Sequence, residues 1–260
     1  MANMRVIKQT AFLTYTPTAT EADTNFPVTN LPLHSVPLRP WKSTTVGGLI
    51  NVTLDVGSGN TVSGLAAVPG IFINEVNFAS AKIQGNTVTT NWTTPPWDEA
   101  IALAQDGLNG RYKGFFKLSE LDATTFAYRY LNVQIPAQTP VDGLVYRIGL
   151  AVLGTIIELT INPGPDIERR REDFAQEQPL LDGGVEVAKV GEPAVFLSYP
   201  RILFSDAGLN EQLDLDNLGR HQSFVVWDPV LNASQYAWIV RRTEAMRIGQ
   251  KWTTLHEGQW

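Results

Sequence analysis

The sequence predicts an all-β protein, a β-sandwich followed by a smaller β-rich module with one or two short helices. Three observations predict it. Apolar and polar residues alternate with period two through most segments. Twenty-one glycines and 16 prolines supply turns between them. Helical spacing occurs in only two short stretches. At 260 residues, with 43% hydrophobic and 18% charged residues, the chain can bury a full core.

The elements follow in chain order. In LINVTLDVG, Ile50, Val52, Leu54 and Val56 share one parity and Asn51, Thr53 and Asp55 the other, which predicts a strand with one wet face. SGLAAVPGIFI (63–73) is apolar on both parities and reads as a strand buried on both sides. FASAKIQGN (78–86) alternates again through Ala79, Ala81 and Ile83. In TTFAYRYLNVQIPA the apolar parity changes, and a one-residue bulge near Tyr130 restores a single buried face. LVYRIGLAVLGTIIELTI (144–161) shows the same change, assigned to Gly154. PWDEAIALAQDG (96–107) reads as a helix, with Pro96, Asp98 and Glu99 at its start and Trp97, Ile101 and Ala104 at helical spacing. DAGLNEQLDLDNLG (206–219) reads as a second, with Gly219 as C-cap.

A module boundary is expected at residues 163/164, where Pro and Gly meet the densest charge cluster. Arg169, Arg170 and Arg171 stand among Asp166, Glu168, Glu172 and Asp173. A solvated linker or a cross-subunit salt-bridge strip explains this pattern. Module one is therefore 1–163 and module two 164–260.

Composition excludes several functions. The net charge is −6 with no basic stripe, so nucleic acid is not an expected partner. There is no cysteine, hence no disulfide, thiolate metal site or thiol catalysis. The longest apolar stretch, LAVLGTIIEL, is about half the roughly 20 residues of a spanning helix, so no membrane insertion is expected. The N-terminal MANMRVIKQTAFLTYTPT lacks the apolar region of a secretory signal, which points to synthesis in a cytosol.

Chemistry-bearing groups are sparse. His34, His221 and His256 lie in no nucleophile or metal motif, and no P-loop is present. No catalytic residue, cofactor or metal is expected. The carboxylate pairs Asp98/Glu99 and Asp214/Asp216 are open to a glycosidase reading or to a solvated one. Aspartates at 214–216, or Asp55, are oxygen donors of the type calcium takes, without EF-hand spacing.

The seven tryptophans and seven tyrosines are the richest resource. In NWTTPPWDE (91–99), Trp92 and Trp97 bracket a proline-rich loop, and NGRYKG (109–114) adds Arg111 and Tyr112. These four are the candidate glycan contacts; the other reading is that a tryptophan plugs the end of the sandwich. Arg169, Arg170, Arg171, Trp252 and Trp260 are candidate interface residues, the last a large aromatic at the chain's end.

The order of pieces over roughly residues 20 to 160 resembles a galactose-binding-like (discoidin-type) jelly roll. The positions that carry the resemblance are Asn25 to Leu31, Trp41, Asp55 with Gly57, Arg129 with Tyr130, and Ile148 with Gly149. It implies a leader strand before the first core strand and a core role for Trp41. The whole layout, with PRILF, FVVWDP and a Trp-rich end, is similar to small tail-tip or baseplate proteins of tailed bacteriophages. That resemblance implies a virion structural protein made in the host cytoplasm. It would form a homo-oligomer with other phage tail proteins as partners and contact host-surface glycans. The alternatives are a carbohydrate-binding accessory module, with Trp92, Trp97 and Tyr112 as stacking platform, and a carboxylate-pair glycosidase.

Overall fold

A computed structural model describes residues 4–8, 13–32, 39–57, 62–63, 69–89, 91–105, 110–121 and 127–158, and then strand segments 168–172, 175–179, 185–189, 194–198, 202–205, 223–227, 237–241, 247–252 and 255–259. All the pairings among them are antiparallel, and the one α-helix among the described residues is a single turn, α1 (Leu118–Leu121). The fold is all-β.

The central sheet has five strands: β2 (Thr16–Ala19), β4 (Ile50–Asp55), β12 (Tyr130–Ile135), β7 (Ser80–Asn86) and β8 (Trp97–Ala102), in that order. β12 is the spine, matching Tyr130 to Ile135 against Asp55 to Ile50 on one side and Tyr130 to Gln134 against Asn86 to Lys82 on the other. Facing it is a four-stranded sheet, β14 (Leu150–Thr155), β6 (Pro69–Val76), β10 (Tyr112–Lys117) and β9 (Ala104–Gln105). The chain crosses between the sheets repeatedly, from β4 to β6, back to β7 and β8, over to β9 and β10, and again at β12 and β14. This is the weave of a jelly-roll sandwich.

Alternation decides what lies between the sheets. Val52, Leu54, Ile83, Leu131 and Val133 from one meet Ile71, Ile73 and Leu153 from the other in one cluster. Phe72, Phe115, Leu150 and Val152 point the opposite way. They form a second cluster with Ile7, Val225 and Ala237, under a sheet of β15 (Ile157–Glu158), β1 (Arg5–Lys8), β21 (Ser223–Trp227) and β22 (Ala237–Arg241). β6 is thus buried on both faces, as its composition predicts. Arg5, 5% exposed, is held by Glu158 at 2.8 Å and by Glu120.

Small pairs close the unit: β3 (Trp41–Lys42) with β13 (Arg147–Ile148), and β5 (Val62–Ser63) with β11 (Ala127–Tyr128). Trp41 is fully buried and its Nε1 donates to the Glu21 carbonyl at 3.1 Å, so it is a core residue, as the resemblance implies.

Three expectations need correction, and the irregularity expected near Tyr130 is found at Arg129, between β11 and β12. The helix expected over 96–107 is not found in its described part, where strands β8 and β9 stand with Leu103 between them. A four-residue spacing such as Trp97 to Ile101 fits either period, and strand pairing with β7 decides the ambiguity. The leader at Asn25 to Leu31 is not a strand: Val28–Asn30 is a 3-10 turn with Leu31 buried beside it. Pro27 and Pro32 lack the N–H that a ladder needs. The parity change at Gly154 does not occur, because β14 is buried on both faces; the break falls at Ile156. The proposed helix at 206–219 lies outside the described residues.

The chain divides into two units, Met1–Leu159 with Leu218–Arg242, and Thr160–Asn217 with Thr243–Trp260. Strands β21 and β22 belong to the first unit through the pairing of β1 with β21. The second unit pairs β16 (Glu168–Glu172) with β19 (Ala194–Ser198) and β17 (Ala175–Pro179) with β18 (Val185–Lys189). Its three-stranded sheet is β20 (Ile202–Ser205), β24 (Leu255–Gln259) and β23 (Arg247–Trp252). Arg169, Arg170 and Arg171 therefore sit in a strand, opposite Leu197, Phe196 and Val195, and not in a linker. Trp252 is in β23 opposite Leu255; Trp260 lies outside the described residues.

Candidate binding face of the five-stranded sheet

The wet parity of β4, β12, β7 and β8 places polar and small side chains on the outer face of the five-stranded sheet, with Tyr130, between Asp55 and Asn86, as the one large ring on that parity. One row reads Thr18, Thr53, Asn132, Gln84 and Asp98 across the strands; the next reads Asn51, Gln134, Lys82 and Ala100. A wet face normally keeps such groups in solvent, yet here Thr53, Asn132, Gln84 and Asn86 are 0–7% exposed.

Their hydrogen bonds explain how this is tolerated. Asn132 Nδ2 donates to Gln84 Oε1 at 2.7 Å and to Asn51 Oδ1 at 2.8 Å, and Gln134 Nε2 donates to the same Asn51 oxygen at 3.2 Å. Gln84 Nε2 donates to the Trp92 carbonyl at 3.3 Å, and Asn86 Nδ2 to the Asn91 carbonyl at 2.8 Å. The interlocked amides span three strands and tie the loop at 91–96 to the face, with Trp92 half-buried. Charges at the margins are paired. Lys82 Nζ lies 2.8 Å from Asp98, and Arg129 makes a two-pronged contact with Asp55, both bonds at 2.8 Å. The hydrogen bonds from Arg129 hold the Asp55 carboxyl below its usual range, against the effect of burial and with help from the Gly57 amide.

The sequence candidates do not converge. Trp97 is 8% exposed and its ring stacks on Tyr128, so the sandwich core already uses it. β8 runs from Trp97 to Ala102 before the chain turns back toward Arg111, five strand steps or about 17 Å. Tyr112, opposite Gln105 and Val76, packs against the main core from that other end. Arg111 Nη1 donates to Asp142 Oδ2 at 2.6 Å, and Asn77 Nδ2 donates to Asp142 Oδ1 at 2.9 Å. The same end holds Glu75, at φ +58°, with its carboxylate 3.6 Å from Arg147. Burial and then the neighbouring Arg111 lower the Arg147 pKa. These groups knit the loops of that end together. The single platform expected of Trp92, Trp97 and Tyr112 is thus divided between opposite ends, with Trp92 alone at the polar face.

Sequence reasoning missed Asn51, Asn132, Gln134 and Gln84. The available signal was the run of Asn and Gln on the wet parity of three strands. Among the carboxylate pairs, Asp98 and Glu99 are successive strand residues and point to opposite faces, so they cannot flank one glycosidic bond. Asp214 and Asp216 lie outside the described residues. Among the described residues no three metal-ligating side chains gather.

No protein-family model matches the sequence, and no curated protein matches it. Among solved structures, the chain is similar to chitosan-binding module 1 of a chitosanase/glucanase from Paenibacillus sp. IK-5, at 15% identity and TM-score 0.36, covering 54% of this chain and 95% of that one. It is similar to the family 32 carbohydrate-binding module of C. perfringens NanJ, solved with galactose, at 13% identity and TM-score 0.35, covering 58% and 98%. It is also similar to reduced XRCC1 bound to the DNA polymerase β catalytic domain, at 12% identity and TM-score 0.41, covering 58% and 98%. These three bind different things, and none of the likenesses decides what this chain binds.

Proposed function

We propose that the chain is a non-catalytic carbohydrate-binding module. The observation that carries this reading is the outer face of the five-stranded sheet, where pre-oriented side-chain amides lie beside the loop that bears Trp92. Fixed planar amides suit hydroxyl groups, and an indole supplies stiff apolar area for a sugar ring. A glycan array followed by calorimetry tests it. Binding to at least one glycan is expected, weakened about tenfold, or about 1.4 kcal/mol, in Trp92→Ala. No binding on a broad array sinks the reading.

A second reading, the tail-tip or baseplate component with other tail proteins and further copies of itself as partners, has its own supporting observation. Val46, Leu49, Val141 and Leu144 are 50–62% exposed, on two loops joined by the hydrogen bonds between Ser43 and Tyr146. Grouped exposed aliphatic side chains suit burial in an assembly. Light scattering on the chain alone and with neighbouring tail proteins tests this second reading. A chain that stays monomeric and joins no complex removes it, and with it the proposed virion location and the interface role of Arg169, Arg170, Arg171, Trp252 and Trp260.

A further inference from the structure

Resting on the carbohydrate-binding reading, we propose that the ligand is an uncharged glycan and that Asn51 and Gln134 are its direct hydrogen-bonding contacts.

The amide network leaves the Asn51 Nδ2 donor group and the Gln134 Oε1 acceptor unused. Asn51 Oδ1 is occupied by Asn132 and Gln134, and one of the two Gln134 Nε2 hydrogens is used on that same oxygen. Asn51 Nδ2 and Gln134 Oε1 make no hydrogen bond among the described residues. The two residues are direct cross-strand partners in β4 and β12, and both are half-buried, hence reachable from solvent. Their orientation is set from the adjacent row, because Asn132, itself fully buried, holds Asn51 while its second hydrogen holds Gln84. A fixed donor beside a fixed acceptor matches sugar hydroxyls, each of which both donates and accepts.

Charge selects the class of glycan. On this face Lys82 is paired with Asp98 and Arg129 with Asp55, so among the described residues no unpaired cation faces a uronic or sialic acid carboxylate. Among the described residues of the face no unpaired carboxylate meets an amino sugar's ammonium group. Thr16 and Thr18 extend the face with exposed hydroxyls on β2, and exposed Ala100 leaves the Asn51–Gln134 row open at the β8 side. The row therefore suits a chain of neutral residues lying across the strands.

Calorimetry on the full chain with cellohexaose, mannohexaose and N-acetylchitohexaose, against hexagalacturonate and a chitosan hexamer, tests the inference. Binding is expected to one or more of the neutral oligomers, with little change on raising salt, since no ion pair forms. Asn51→Asp is the chosen variant. It keeps the oxygen that Asn132 and Gln134 use and exchanges the free donor for a charged acceptor, so affinity for a neutral glycan should fall about tenfold or more while the melting temperature holds. The double variant Asn51→Ala/Gln134→Ala should abolish binding, and Arg111→Ala at the other end should not affect it. Binding confined to the charged oligomers overturns the neutral-glycan inference and leaves the carbohydrate-binding reading standing. So does loss of binding in Arg111→Ala with both face variants unchanged. Binding to none of the oligomers and to nothing on a broad array overturns both.

Discussion

Trp97 and Tyr128 stack with their ring planes 5° apart and centroids 6.3 Å apart. Trp97 is the cross-strand partner of Gly85, and the Tyr128 ring occupies the space that a Cβ on Gly85 would take. The two aromatics cover a glycine in the penultimate strand of the sheet and close that corner of the sandwich. Truncating Trp97 removes one wall of this packing, so Trp97→Ala should destabilise the first unit by about 3–5 kcal/mol. Urea denaturation followed by Tyr and Trp fluorescence checks it, and a loss under about 1 kcal/mol would show that the ring is not part of the core.

The same corner makes Gly85 irreplaceable by alanine. The added methyl overlaps the Tyr128 ring, which cannot swing away without breaking its stack on Trp97. Gly85→Ala should cost about 1–3 kcal/mol, measured by the same denaturation. Gly85→Ala combined with Tyr128→Ala should recover part of the overpacking cost.

Acid should weaken the unit through Asp55. Its carboxyl titrates below its ordinary range in the folded state, chiefly through the hydrogen bonds from Arg129. A depressed folded pKa contributes stability that is fully present above the unfolded value, about 3.9, and is lost as pH falls through the lowered one. Glu21, held by hydrogen bonds from Thr45 and Thr44, has the same sign. Stability measured from pH 7 down to pH 3 should therefore fall less steeply at the acid end in Asp55→Asn than in the parent. The pair is partly exposed, so the difference should shrink in high salt.

Asn132 should matter more for stability than its place on a wet face suggests. Asn132→Ala leaves the Gln84 and Asn51 oxygens without the donor they share, and Gln84 is 1% exposed. A loss of about 1–3 kcal/mol in denaturant midpoint analysis is expected. Substituting exposed Thr18, on the edge strand in the same row, should change stability by less than about 0.5 kcal/mol.

Much of the sandwich is legible in the chain. The alternation of Ile50, Val52 and Leu54 with Asn51, Thr53 and Asp55 fixes which face of β4 is dry, and the two-sided apolar run at 63–73 announces a strand covered on both sides, which the structure places at Pro69–Val76. Where two periods agree the sequence is silent, and Trp97 with Ile101 is that case: both are buried, but four residues apart in a strand instead of a helix. The charged strand Glu168–Glu172 is hidden for another reason, because its pattern has no apolar parity to show.

The sequence by itself determined the strand class and the dry faces of β4, β7 and β12, because these follow from local period and composition. Only the tertiary structure decided which distant residues meet. Asn51 and Gln134 stand 83 positions apart and become neighbours through the register of β4 on β12. Trp92 and Arg111 lie close in sequence, yet the intervening strand carries them to opposite ends. Antiparallel pairing sets such neighbours by register, and register is a property of the assembled sheet.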